Sequence, residues 1–148
     1  MSVSVNDNCC GMDKERVQAV ISPFTTTRST RKVGLGIPMF KAGAEACDGE
    51  FILTSHPGEG TFIQASYRIS HLDRPPLGNM AETMLSLIIC NQSIRFVFDY
   101  DVDEDRFHLD TDEIHQSLGP DIPLDLPDIL AWIRDYLKEG IEELNGGV

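Results

Sequence analysis

Apolar and polar residues change rhythm several times along this chain, and each change marks an element. Ser2-Val3-Ser4-Val5 alternates strictly, which is the period of a half-buried strand, and it leads into Asp7. Asp13 is placed to cap a short helix over residues 14–20. Residues 22–32 hold four threonines and three cations with no apolar period, which predicts a flexible loop. From 37 to 47 the spacing is helical: Ile37, Phe40, Ala44 and Cys47 share one face, and Pro38 fits the first turn. Asp48-Gly49 ends that helix. Residues 50–55 and 61–69 predict two strands, joined into a hairpin by His56-Pro57-Gly58-Glu59-Gly60.

The second half predicts the order α-β-β-α-α. Met80 to Cys90 is an amphipathic helix. Strands over 94–100 and 106–109 flank a turn at 102–105. Asp110 or Thr111 can cap a short helix ending at Leu118. Pro127 or Asp128 opens a last helix reaching Leu144. Its apolar stripe is Ile129, Trp132, Ile133, Tyr136, Leu137 and Ile141, which is expected to be core.

Charge divides the chain at the same place as the pattern. The net charge is −12, yet residues 1–78 hold eight basic and eight acidic residues. Residues 79–148 hold four basic and sixteen acidic ones. The change falls at Arg74-Pro75-Pro76-Leu77-Gly78, which reads as a linker or sharp turn. Two domains are therefore expected, 1–74 and 79–148. So acidic a second half argues against nucleic acid and anionic membrane as partners. Cys9, Cys10, Cys47 and Cys90 form no C-x-x-C, so reduced thiols are expected rather than a metal site. With no secretory leader and no apolar run of membrane length, the expectation is a cytoplasmic protein.

Candidate chemistry lies in four short segments of the first half. Lys32-Val33-Gly34-Leu35-Gly36-Ile37-Pro38 is a glycine turn that follows a cation and opens into a helix. Glycine lets backbone approach an anion closely, and a helix N-terminus offers free N–H groups to phosphate. The others are Asp7-Asn8-Cys9-Cys10-Gly11-Met12, Pro23-Phe24-Thr25-Thr26-Thr27-Arg28, and Gly58-Glu59-Gly60-Thr61-Phe62. In this order and spacing the four segments resemble the ATP-binding domain shared by histidine kinases, DNA gyrase and a heat-shock chaperone. They correspond to that family's first glycine box, phenylalanine box, second glycine box and late Gly-x-Gly-Thr. The resemblance spans roughly residues 3 to 70.

The resemblance implies an α+β fold: part of a Bergerat-type α/β sandwich, with a mixed sheet and helices on one face, followed by a small C-terminal α/β segment. It implies that Asp7 accepts a hydrogen bond from the adenine amino group. Gly11 and Met12 would line the base, and Thr61 would reach it through its hydroxyl or a water. Thr26, Thr27, Arg28 and Lys32 would meet the phosphates, with Gly34, Leu35 and Gly36 presenting backbone to them. Cys9 stands where the family has glycine, so its side chain is expected either to crowd the base or to demand a left-handed backbone. In the family a magnesium ion is held by an Asn on a helix before the first glycine box. Here that box starts at the seventh residue, so the expectation is an N-terminally incomplete domain whose magnesium ligand is absent from this sequence.

ATP or ADP is thus the expected ligand, and turnover by the isolated chain is not expected. His115 has Pro120 five residues on, as a phosphoacceptor histidine would. Gln116 replaces the acid that should follow, however, and Gly119-Pro120 reads as a helix end. His56, His71 and His108 are expected to be structural or solvated. The leading expectation is an adenine-nucleotide-binding module for signalling or regulation. The alternatives are a serine/protein kinase of the anti-sigma-factor type and a catalytically dead scaffold that pairs with another chain. A homo-oligomer or a second protein is the expected macromolecular partner, through a sheet face and edge that include Val3 and Val5.

Overall fold

Antiparallel pairing organises the first sheet, whose strand order is β1-β3-β2. In this computed structural model, which describes residues 1–22, 35–119 and 122–146, β1 (Ser2–Asp7) and β2 (Phe51–His56) flank β3 (Gly60–Ser66). The register aligns Val3 with Ala65 and Phe51, then Val5 with Ile63 and Leu53, then Asp7 with Thr61 and Ser55. Alternate residues of a strand share a face, so these nine positions line one side of the sheet. That side is apolar at one end and polar at the end bearing Asp7.

Helix α2 (Gly36–Ala46) covers the apolar end. Ala44 and Cys47 pack against Ala65 and Tyr67, with Val3, Phe40 and Phe51 around them. Phe40 meets Phe51 edge-on, with centroids 6.3 Å apart. Val5, further along the same face, stays 56% exposed. Helix α1 (Lys14–Ile21) begins where Asp13 accepts a 2.8 Å bond from the Arg16 N–H. β3 stops at Ser66, short of the expected residue 69. Tyr67 N–H still bonds Met1, but Arg68 N–H turns to the Cys47 carbonyl at the end of α2. Among the described residues this sheet is antiparallel throughout, which makes the unit an α+β fold without the parallel pair of a mixed sheet.

The chain forms two compact units, Met1–Pro76 and Leu77–Val148. The second contains α3 (Met80–Cys90), β4 (Val97–Val102), β5 (Asp105–Asp110), α4 (Thr111–Leu118) and α5 (Pro127–Leu144). Its core joins Leu85 and Ile88 of α3, Phe98, Phe107 and Leu109 of the hairpin, Ile114, and Ile133 and Leu137 of α5. β4 begins at Val97 rather than 94 because Ile94 N–H closes a turn onto Asn91. The stripe of α5 divides: Ile133 and Leu137 are fully buried, whereas Trp132 and Tyr136 are about half exposed, which corrects the expectation that the whole stripe is core.

Candidate functional site

The segment after β1 is seated on the turn of the β2–β3 hairpin. Gly58 N–H donates to the Cys10 carbonyl at 2.8 Å. Met12 N–H donates to Ser55 Oγ at 2.8 Å. The Ser55 hydroxyl lies 3.0 Å from Thr61 Oγ1 and donates to the Gly60 carbonyl at 2.8 Å. Asp7 is opposite Thr61 in the ladder. Four expected residues, Asp7, Gly11, Met12 and Thr61, are therefore brought to one corner. Ser55 ties them together, and nothing in its own sequence context sets it apart from a polar strand residue.

Two glycines make the corner possible. Gly11 has φ +65°, and a Cβ there would sit 1.9 Å from the His56 carbonyl oxygen. Gly60 has φ +116°, and its Cβ would sit 1.9 Å from the Asp7 carbonyl oxygen. Only residues without a side chain let these backbones touch.

Asp7 is already engaged on one side. Its Oδ1 accepts the Cys9 N–H at 2.9 Å. The thiol of Cys9 is also drawn to this carboxylate, and that hydrogen bond, with the carboxylate's charge, raises the Cys9 pKa above its ordinary value. Cys9 avoids the left-handed region: among the described residues only Asp48 and Asp103 adopt it without being glycine. Of the two expected consequences of Cys9, the strained backbone is absent. The bond to Asp7 is made by the Cys9 backbone N–H, with the thiol beside the same carboxylate.

At the other end, Leu35 precedes Gly36 at the start of α2, and no side chain caps this helix. A Cβ on Gly36 would meet nothing within 4 Å, so this glycine is not required by packing. Thr26, Thr27, Arg28, Lys32 and Gly34 lie outside the described residues.

Residues 1–71 match the family model of the histidine kinase-, DNA gyrase B-, and HSP90-like ATPases. The segment is also similar to the cell-division control histidine kinase PdhS of Brucella ovis and of Brucella melitensis. Both are 30% identical over 73 residues, covering 40% of this chain and 7% of the relative. A Shewanella frigidimarina protein whose name carries the word sensor is 32% identical over 72 residues, covering 48% of this chain and 11% of its own. The chain thus matches only a small part of these curated relatives. Among the described residues no helix is long and apolar enough to cross a membrane.

Around the Asp7 corner the described residues hold no group of three His, Cys, Asp or Glu close enough to share an ion. The one such group among them is His108, Asp110 and Glu113 in the second unit, with ligand atoms within 4.8 Å of one another. Two of its members, Asp110 and His108, already have partners. Asp110 Oδ1 accepts Arg95 Nε at 3.1 Å and the Asp112 N–H at 2.9 Å, capping α4. The Arg95 guanidinium holds this buried carboxyl below the usual carboxylate range. His108 Nδ1 lies 2.7 Å from Asp99 Oδ1, and that bond raises the imidazole above its ordinary value. A metal ion here would have to share Asp110 with a guanidinium, so the cluster reads as internal ion pairing. His115 Nδ1 is buried with no hydrogen-bond partner among the described residues.

The two shifts give the second unit opposite pH limits. His108 is raised, so its contribution is complete below the unfolded histidine value, near 6.5, and is lost as pH rises through the folded pKa. Asp110 is lowered, so its contribution is complete above the unfolded carboxylate value and is lost as pH falls through the folded pKa. Thermal melts should show greatest stability between these limits. Asp99→Asn should flatten the decline on the alkaline side, and an unchanged slope would remove His108 as its cause.

Proposed function

We propose that the first unit is an adenine-nucleotide-binding module of a signalling or regulatory protein. The observation that supports it is the Asp7–Thr61 pair, closed in by two glycines whose Cβ atoms would strike backbone. Asp7 supplies a carboxylate acceptor for the exocyclic amine of adenine, beside the hydroxyl of Thr61. Met12 and the bare backbone of Gly11 form the surface for the ring. The uncapped start of α2 at Leu35–Gly36 suits a phosphate, because N–H groups and the helix dipole favour an anion there. Thr26, Thr27, Arg28 and Lys32 are proposed to meet the same phosphates. Magnesium bound with the nucleotide would neutralise phosphate charge.

Binding is expected to be weak, because Cys9 competes for Asp7. Calorimetric titration with ADP should give a Kd above about 10 µM, equivalent to about −6.8 kcal/mol. Cys9→Gly removes the thiol beside Asp7 while keeping the backbone N–H bond, and should tighten binding. Gly36→Ala should leave the melting temperature unchanged or higher, yet weaken binding. A Kd tighter than that in the parent protein, or no gain in Cys9→Gly, would contradict the role given to Cys9.

The scaffold reading has one observation of its own: Val5 remains exposed on the side of the sheet that α2 covers. An edge strand with an uncovered apolar residue tends to pair. Light scattering at micromolar concentration is expected to report a dimer that Val5→Lys dissociates. A monomer in the parent protein would defeat this reading.

A further inference from the structure

Helix α5 of the second unit turns two aromatic rings outward. Trp132 and Tyr136 stack with centroids 5.4 Å apart and planes 9° apart. They are 50% and 41% exposed. With Ile114 and Leu118 of α4 they wall a groove of about 390 Å³ that His108 and Glu113 border. Leu118 is itself 39% exposed. An apolar groove of this kind is unusual on so charged a surface, and large exposed apolar patches mark binding sites.

The charges around the groove say what it suits. Asp128 lies one turn before Trp132, Asp135 follows it at i+3, and Glu139 follows Tyr136 at i+3, so the helix places all three beside the rings. All of them are exposed. Each of the four basic residues of this half already has an acidic partner: Arg95 with Asp110, Arg106 with Asp101, Arg134 with Glu82, and Lys138 with Glu142. Among the described residues Glu113, Asp128, Asp135 and Glu139 have no such partner. A second copy of the chain would bring like charges together across the groove.

We propose that the groove between α4 and α5 docks a basic amphipathic helix of another protein. An apolar side chain of that helix fills the space between Leu118 and Trp132. Its lysines or arginines meet Glu113, Asp128, Asp135 and Glu139, and one of them stacks on the free face of Trp132.

Trp132 is the one tryptophan of the chain, so its fluorescence reports the groove directly. The full-length chain would be titrated with a synthetic leucine/lysine amphipathic peptide. Two control peptides would keep either the lysines, with serine for leucine, or the leucines, with glutamate for lysine. The leucine/lysine peptide should shift the emission to the blue and saturate in the micromolar range. Both controls should bind at least tenfold more weakly. Leu118→Gln, and separately the combination Glu113→Gln, Asp128→Asn and Asp135→Asn, should each weaken binding at least fivefold. These side chains are exposed or partly exposed, and circular dichroism would confirm that the variants fold. Equal binding of either control would overturn the proposal, since charge or greasiness alone would then suffice. Binding that both variants leave intact would place the site elsewhere, and no binding by any peptide would also overturn it.

Discussion

Replacing Gly60 by alanine is expected to destabilise the first unit by more than about 3 kcal/mol, because left-handed strain and backbone overlap act together. At φ +116° this position is one that side chains rarely adopt, and the new Cβ would fall 1.9 Å from the Asp7 carbonyl oxygen. Neither atom belongs to a flexible side chain, so relief must come from parting β1 and β3 where Asp7 faces Thr61. The same movement would break the seat of Met12 on Ser55. The variant should therefore lose nucleotide binding and unfold the sheet at lower temperature. Gly58→Ala is the contrast: its φ is also positive, but a Cβ there meets nothing within 4 Å, so only the milder backbone strain applies. Equal stability of the two variants in urea titration would show that close approach at Gly60 is not what holds the corner.

Leu137→Ala should cost the second unit about 3 kcal/mol, the transfer term plus a cavity that the surroundings only partly close. Leu137 has no exposed surface and sits in the cluster where α3, α5 and the hairpin meet. A unit of this size loses about 4–8 °C in melting temperature per kcal/mol, so a fall of about 12 °C or more is expected. Trp132→Ala, on the outward side of the same helix, should cost far less. Comparable losses in the two variants would mean that the aromatic pair is core rather than surface.

Much of the fold was legible in the residues, for identifiable reasons. Period-2 alternation located β1, the Asp13 cap located α1, and amphipathic spacing located α3, whose Asn79 cap, accepting the Glu82 N–H at 3.0 Å, only the structure shows. The ends of β3 and β4 were not legible. They are set by bonds to partners that local pattern does not reveal, Arg68 to Cys47 and Ile94 to Asn91. The α5 stripe misled because a helix face is broader than the core it packs on: Ile133 and Leu137 point inward, and Trp132 lies on the flank. Ordered motifs singled out Asp7, Gly11, Met12 and Thr61, which the structure gathers at one corner. Ser55 was not, since its place between Met12 and Thr61 depends on strand register. That Cys9 would act on Asp7 rather than on its own backbone required the structure.

Adenine nucleotide is proposed to bind at the Asp7 corner of the first unit, and amide chemical shifts of the 15N-labelled full-length chain during ADP titration test this. Saturable shifts are expected at Cys9, Gly11, Met12, Gly60 and Thr61 and at Gly36 and Ile37 of α2. None are expected along α4 and α5, and the response should be lost in Asp7→Asn. Asparagine keeps an acceptor for the Cys9 N–H, so that variant should fold while its reversed polarity rejects the adenine amine. Shifts confined to the second unit, an undiminished response in Asp7→Asn, or silence at millimolar ADP would contradict nucleotide binding at this corner.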